Sequence, residues 1–547
     1  MISFWRVVVI TAKLVHFALF GQGNLVLADN LPSDLGAKKN IGLIIPPSAF
    51  LLDERVFVSL GVLKIASVLE QRGHQVQVLD LSGVQNFLDA VSIYLDKDPV
   101  DLIGLTSTTP QLPAVFEIAR LIRSKKPGLK LILGGPHVTL TYSAVKLERR
   151  LRRTTWSRAS GAARQLETMF DMLVAGDGEL AILHALEPNG PKLLDGDDHK
   201  GPLFMSDAMY DASPPPARHL VDVLSYHYTI DGQRATSLIA QLGCPFNCGF
   251  CGGRNSKSLR IIRSRSIKSI VNEMEALYNT YGYTAFMFYD DELNVSKSLV
   301  ELMNAITDLQ DKFGVEFRLR GFIKAELFNN IQAGAMYRAG FRWLLCGFEA
   351  ANPRILENIQ KRATLDDNSR AVEIAKSNGL KVKALMSIGH PGESERSSRD
   401  VSDWLIKMEI DDFDCSIITT YPGTLYYDYS APHDTLTGVW TYTQPQTGDR
   451  LHAYDIDFTS TPNYYKGDPE GGYRAYVFTD HLTSEEIVRL RDQIEREVRK
   501  TLSIQFNQSR AALRYEHSLG QGLPDFILRL GGSISDHSMF ESTTKRS

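Results

Sequence analysis

The chain has 547 residues, 43% of them apolar and 23% charged, with 60 Lys+Arg against 64 Asp+Glu for a net charge of −4. That balance excludes collagen, wholesale disorder and a multi-span membrane protein, and it lacks the basic footprint of a dedicated nucleic-acid binder. Five cysteines rule out a disulfide scaffold, and three of them fall between 244 and 251, the pattern of a metal site in a reducing, cytoplasmic setting.

Residues 1–38 read as an N-terminal extension. Met1–Asn30 holds Arg6, an apolar run and the small-residue segment Val26-Leu27-Ala28, the outline of a secretory leader. Lys13 and His16 break that run, and the thiol trio argues against an oxidising destination. No other stretch reaches the ~20 apolar residues of a membrane span.

Residues 39–190 read as an open parallel sheet. Strands are expected at Ile41–Ile45, Val76–Asp80, Asp101–Leu105 and Leu131–Leu133. Helices fall between them, one marked by Leu60, Leu63, Ala66 and Leu69 and stopped at Gly73, another over Ala114–Arg123. Strand–helix alternation requires right-handed crossovers, and ligands of such sheets sit outside the carboxyl ends of the strands. Thr106-Ser107-Thr108-Thr109 and Gly134-Gly135-Pro136-His137 both fall there. The hydroxyls offer donors and acceptors, and glycine lets a ligand approach the backbone; ordinary tight turns fit the same residues. Tyr142–Arg164 carries seven Lys or Arg residues and reads as a solvated helical face. Val174–Glu179 adds a strand and a Gly-Asp-Gly-Glu turn. A linker over 191–230, rich in Gly, Asp and Pro, follows.

Residues 231–425 carry the strongest signal. An apolar strand, Thr236–Leu242, runs into Cys244-Pro-Phe-Asn-Cys248-Gly-Phe-Cys251. Thiolates favour iron–sulfur clusters, zinc or Cu(I), and a closed zinc site needs a fourth ligand that this stretch does not hold. Either three ligands leave one metal corner open, or a distant residue completes a structural zinc. Further βα units follow, with strands expected at Phe286–Tyr289, Glu316–Arg320, Leu344–Phe348, Val382–Ile388 and Cys415–Thr419. Asp290-Asp291-Glu292, Glu349 and Gly389–Glu393 stand at strand ends. Six such units describe most of a (β/α) barrel, with its site at the carboxyl-end face.

The C-x3-C-x2-C triplet, with Phe250 as the aromatic before its last cysteine, resembles the cluster motif of the radical S-adenosylmethionine (SAM) superfamily. Residues 41–180 resemble the cobalamin-binding domain that precedes many of its barrels. The fold class implied is α/β: a Rossmann-like cobalamin-binding sheet, a partial (β/α)6 barrel and a small C-terminal α/β extension. The resemblance implies that Cys244, Cys248 and Cys251 hold a [4Fe–4S] cluster. Its open iron chelates SAM, and one electron then releases a 5′-deoxyadenosyl radical. It implies that Asp290, Asp291 or Glu292 meets the SAM ammonium, Glu349 the ribose, Gly389–Glu393 the adenine, and Arg263 and Arg320 the carboxylate. Thr106, Ser107, Gly134, Gly135, Gly176 and Glu179 would line cobalamin. The D-x-H-x-x-G cobalt-ligand motif is missing, with Asp53-Glu-Arg55 standing near its expected place. The outcome implied is methyl transfer to an unactivated carbon of a small-molecule or peptide substrate, fed by a one-electron donor such as flavodoxin or ferredoxin. Cyclisation, rearrangement or oxidation, and a non-enzymatic cofactor-binding sensor, are the alternatives. The methylthiotransferase branch is disfavoured because no cysteine precedes Cys244.

Residues 426–531 are expected to form an accessory region rich in aromatics. Thr483-Ser-Glu-Glu486 marks a capping box opening a helix through Lys500. Residues 532–547 read as a loose tail.

Overall fold

The computed structural model describes residues 37–48, 54–152, 157–187, 190–461, 464, 474–504, 513–516 and 528–531. The leader-like segment, Asp53 and the expected tail lie outside these residues.

Six strands form the first sheet: β1 (Asn40–Ile45), β2 (Gln75–Asp80), β3 (Leu102–Thr106), β4 (Lys130–Gly134), β5 (Met172–Gly176) and β6 (Leu193–Gly196). All pair in parallel in the order β2-β1-β3-β4-β5-β6. β1 and β3 are neighbours while the chain between them runs out to β2, so the order reverses there, and a crevice opens at their carboxyl ends. Helices cover both faces. One core is built on α1 (Leu60–Gln71) and α6 (Gly178–Ala185). The other is built on α2 (Phe87–Lys97), α3 (Leu112–Lys125), α4 (Pro136–Arg150) and α5 (Arg158–Met169). Burial on both faces explains the near-continuous apolar runs of these strands.

Two expectations change. The supposed linker begins with β6, which pairs with β5 and extends the sheet; its sequence, Leu-Leu-Asp-Gly, gives no alternation to read. The basic stretch is not simply solvated. Lys146 pairs with Asp195 at 2.7 Å. Arg158 lies between the rings of Tyr427 and Trp440, 4.0 and 4.2 Å from their centroids.

The second sheet contains β7 (Gln233–Leu238), β8 (Ala285–Phe288), β9 (Arg318–Ile323), β10 (Phe341–Glu349), β11 (Lys381–Ile388) and β12 (Asp412–Ile417). Here sequence order equals spatial order and every one of these pairings is parallel, with a short antiparallel strand, Thr229–Ile230, beside β7. Crossovers of one hand then place α7 (Ile267–Tyr281), α8 (Leu299–Phe313), α9 (Asn330–Arg338), α10 (Leu365–Ser377) and α11 (Glu395–Lys407) on one face, and the sheet curls into an open half-barrel. β7 ends at Leu238 instead of Leu242, because Gln241–Leu242 pairs separately with Arg263–Ser264, and β10 starts three residues early. β9 and β12 differ from expectation by two to three residues, because their alternating polar residues face the lumen and blur the apolar run.

The aromatic region 431–479 holds an antiparallel sheet of β13 (Ala431–Pro432), β14 (Val439–Thr443), β15 (Arg450–Tyr454) and β16 (Val477–Thr479). The capping box is present at Thr483 and Glu486 and opens α12 (Ser484–Leu502). That helix lies along the free edge of β12. Glu495 Oε1 accepts the Cys415 N–H at 3.0 Å, the Arg491 guanidinium donates to the Cys415 carbonyl at 3.1 Å, and Arg499 donates to the Phe413 carbonyl at 2.6 Å. Spacing of four residues puts all three side chains on one helix face. They satisfy edge groups that would otherwise invite another strand. A final hairpin pairs Leu513–Glu516 with Leu528–Gly531.

Candidate functional site

The three clustered cysteines lie on the loop after β7, at the mouth of the half-barrel. Backbone bonds fix the loop at both ends: Cys244 N–H to Leu259 O at 3.0 Å, Gly249 N–H to Ile359 O at 2.7 Å, and Leu425 N–H to Gly249 O at 3.0 Å. Glycine is needed at Gly243, where φ is +88° and a Cβ would stand 2.3 Å from the Ile261 carbonyl oxygen. At Gly252 a Cβ would meet the Tyr421 ring at 2.7 Å. All five cysteines of the chain are free thiols. Burial pushes Cys244 up to about 12 and Cys251 up to about 11. Burial also raises Cys248, opposed there by the ammoniums of Lys361 and Lys324.

Behind the loop runs a buried polar chain. Lys361 Nζ stands 3.4 Å from Glu349 Oε1, and Ser387 Oγ donates to Glu349 Oε2 at 2.9 Å. The same hydroxyl meets His390 Nε2 at 2.9 Å, and the His390 ring packs edge-on against Phe250 at 5.6 Å. Burial pushes His390 down to about 3, so its imidazole is uncharged. Glu349 is held at φ +68°, a conformation that costs a non-glycine residue ~1–3 kcal/mol and concentrates at functional sites. Gly347 makes room, since a Cβ there would stand 2.6 Å from the Glu349 carboxylate.

Two cavities open at this level. One of about 590 Å³ joins Phe250, Glu349 and Ser387 to Thr108 and Thr109 of the first sheet and to Asp414 of β12. The other, about 350 Å³, lies over the β1/β3 crevice. Gly104, Thr106, Gly134, Gly135, Gly176 and Glu179 line its sheet side, and Gln241, Leu242, Gly243 and Leu259, flanking the cysteines, line the opposite side. Gly135 at φ +97° leaves its space to Thr106, and Gly176 at φ +79° closes on the β6 backbone.

These placements sort the expected residues. Phe250 and Glu349 face the larger cavity; Thr106, Gly134, Gly135, Gly176 and Glu179 face the smaller. Ser107 does not: it is fully buried, with its hydroxyl on the Thr108 carbonyl at 2.7 Å. Asp290 is also buried and accepts the N–H groups of Ala240 and Gln241, at 3.1 and 2.6 Å, so it shapes the turn into the cysteine loop instead of meeting a ligand. Asp291 lines the smaller cavity. Glu292 keeps Oε2 buried with no hydrogen-bond partner, and burial pushes its carboxyl up to about 7. Arg263 lines the smaller cavity, with its guanidinium held in a buried pair with Asp177 and by a 2.7 Å bond to the Ser258 carbonyl. Arg320 lies below the mouth and donates to the Tyr228 hydroxyl at 2.8 Å. Gly389 packs beneath β16, with Val477 at 3.1 Å from a Cβ position, and the Glu393 carboxylate is taken by Ser397. The turn 389–393 is therefore covered by the C-terminal sheet. Sequence reading missed Lys324, Lys361 and Ser387, which carried no motif of their own.

The residues fit the groups the motif implies. Three thiols share one half-buried loop, a buried carboxylate oxygen on Glu292 lacks a donor, and a cavity of about 350 Å³ lies over the first sheet. Lys, Glu and Ser side chains around Glu349 supply a fixed acceptor for a hydroxyl or ammonium.

Comparison with known proteins agrees. The family model described as the radical SAM superfamily matches residues 238–405, and that of the B12 binding domain matches residues 54–149. An uncharacterized methyltransferase of Pyrococcus horikoshii is 27% identical over 412 residues, spanning 72% of this chain and 83% of the relative. The anaerobic magnesium-protoporphyrin IX monomethyl ester cyclase of Rubrivivax gelatinosus is 25% identical over 348 residues, 58% of each chain. The fold resembles the solved radical S-adenosylmethionine methyltransferase TsrM from Kitasatospora setae, with cobalamin and a [4Fe–4S] cluster bound, at a TM-score of 0.58 and 15% identity over 85% of this chain and 89% of that one.

Proposed function

We propose, for a chain that belongs to the radical SAM superfamily and carries a B12 binding domain ahead of its barrel, that it transfers a methyl group to an unactivated carbon of a small-molecule or peptide substrate. One observation carries this reading. The glycine-floored cavity of the first sheet has the flanks of the cysteine loop as its opposite side, so a corrin held there and a cluster held by Cys244, Cys248 and Cys251 would be neighbours. When bound, the cluster, SAM and cobalamin supply one-electron cleavage of a sulfonium and methyl-transfer chemistry.

The chain's own residues do the rest. Gly135 and Gly176 let the turns close tightly on Thr106 and on the β6 backbone, which shapes the floor of the cavity. Glu349, fixed by Lys361 and Ser387, accepts hydrogen bonds from a ligand hydroxyl or ammonium at the mouth. Glu292 offers a second acceptor through its unpartnered Oε2. Phe250 gives the larger cavity an aromatic wall, backed by the buried and uncharged His390 ring. Among the described residues no helix is long and apolar enough to cross a membrane. An external one-electron donor of the flavodoxin or ferredoxin kind and a cytoplasmic setting complete the proposal, since thiolate ligands require reducing conditions.

The test is anaerobic turnover with methyl-labelled SAM on extract fractions, with and without hydroxocobalamin. A labelled product that requires cobalamin supports the reading; turnover unchanged without it refutes methyl transfer. The likeness to a cyclase supplies the rival outcome, in which 5′-deoxyadenosine forms but no label enters the product.

A further inference from the structure

Two lysines behind the cysteine loop are buried to an unusual degree, Lys324 at 2% exposed and Lys361 at 3%. Lys324 extends from the end of β9 and sets its ammonium 4.1 Å from the ring centroid of Phe246, between the first two cysteines. It also donates to the Lys361 carbonyl at 3.3 Å and pairs with Glu326 at 2.8 Å. Lys361 faces Glu349 and lies directly after Ile359 and Gln360, both tied to the cysteine loop: Gly249 N–H donates to Ile359 O at 2.7 Å, and Arg254 donates to Gln360 Oε1 at 3.0 Å. The acidic groups facing the pair are Glu292, Glu326 and Glu349, with Cys248 and Cys346 as the nearby thiols.

Stability does not account for this arrangement. Buried ion pairs rarely stabilise a fold beyond what apolar residues of the same size achieve, so their presence calls for another reason. A cation in a low-dielectric interior acts strongly on a charge nearby, and the potential of an iron–sulfur centre follows net charge and burial around its sulfurs. Resting on the cluster assignment above, we propose that Lys324 and Lys361 tune the cluster of the cysteine loop by raising its reduction potential, so that the one-electron donor reduces it more readily. The positive field favours the state that has gained an electron; no bond is made or broken.

The experiment is an anaerobic redox titration, followed by electron paramagnetic resonance, of the reconstituted full chain without SAM. The wild type is compared with Lys324→Gln, Lys361→Gln, the double variant and Lys361→Arg. Expected are a more negative midpoint for each Gln variant, a larger shift for the double variant and a midpoint near wild type for Lys361→Arg. Lys324→Gln leaves the Lys361–Glu349 pair in place and so guards against a folding effect. Gln variants that load as much iron as wild type but keep its midpoint overturn the proposal. Loss of the cluster from both single variants with an unchanged far-ultraviolet circular dichroism spectrum also overturns it, since the lysines would then hold the loop instead of tuning it. A wild-type chain that takes up no iron and sulfide refutes the cluster assignment itself.

Discussion

The guanidinium of Arg263, on the strand that follows the cysteine loop, is paired with the carboxylate of Asp177 at the carboxyl end of the first sheet. Both side chains are almost wholly buried, at 3% and 7% exposed. Asp177 also accepts the Met205 N–H at 2.9 Å. One ion pair thus joins the turn that floors the smaller cavity to the loop that roofs it.

Removing one partner leaves a buried charge without compensation, which costs about 3–5 kcal/mol. Arg263→Met is expected to lose that much unfolding free energy in urea, and addition of Asp177→Asn is expected to recover part of it. Additive losses would show that the two side chains do not interact.

Gly61, in the first turn of α1, lines the smaller cavity, and a Cβ placed on it meets nothing within 4 Å. Gly61→Phe is expected to fill the cavity and weaken hydroxocobalamin binding at least tenfold, read by visible difference spectra. Gly61→Ala is expected to bind as wild type does and to gain up to about 1 kcal/mol of stability, because alanine suits a helix better than glycine.

Arg158 joins α5 to the short helix Leu425–Asp428 through Tyr427 and to the antiparallel sheet through Trp440, and it pairs with Asp455 at 3.0 Å. A partly desolvated cation–π contact is worth about 0.5–2 kcal/mol. Arg158→Ala is expected to lower the unfolding midpoint and to change the emission of Trp440, whereas Arg158→Lys is expected to retain part of the effect.

The Glu393 carboxyl is pushed up to about 7 by burial, against hydrogen bonds from Ser397 and the His390 and Gly389 backbone. Its folded pKa therefore lies above its unfolded value near 4.5. The folded state binds more protons in that window, so the stability tied to Glu393 is complete below about 4.5 and is lost as pH rises through about 7. Unfolding free energy of the wild type minus that of Glu393→Gln is expected to fall with pH across this interval, by at most about 1.4 kcal/mol per unit. A difference independent of pH would refute the assignment.

Much of the architecture was legible because it is local. Apolar runs bounded by Gly and Pro located the first five strands, and the Thr483–Glu486 box located the last long helix. The cysteine spacing named its own loop. What sequence did not show depends on distant partners. Arg263 and Asp177 are 86 residues apart, and nothing near either one signals that each is consumed by the other. Lys361 sits in Gln-Lys-Arg, which reads as exposed, yet it is buried against Glu349. The antiparallel sheet escaped notice because its strands are short and its aromatics read equally well as pocket lining.

The strand-edge bonds made by Arg491, Glu495 and Arg499 bear on how this protein can be divided. A truncation that stops after β12, at the apparent end of the barrel, would strip α12 away and leave the Phe413 and Cys415 backbone groups bare. Such a fragment would present a template for intermolecular strand pairing. It is expected to precipitate or self-associate more readily than the intact chain, so a barrel fragment should keep its C-terminal helix.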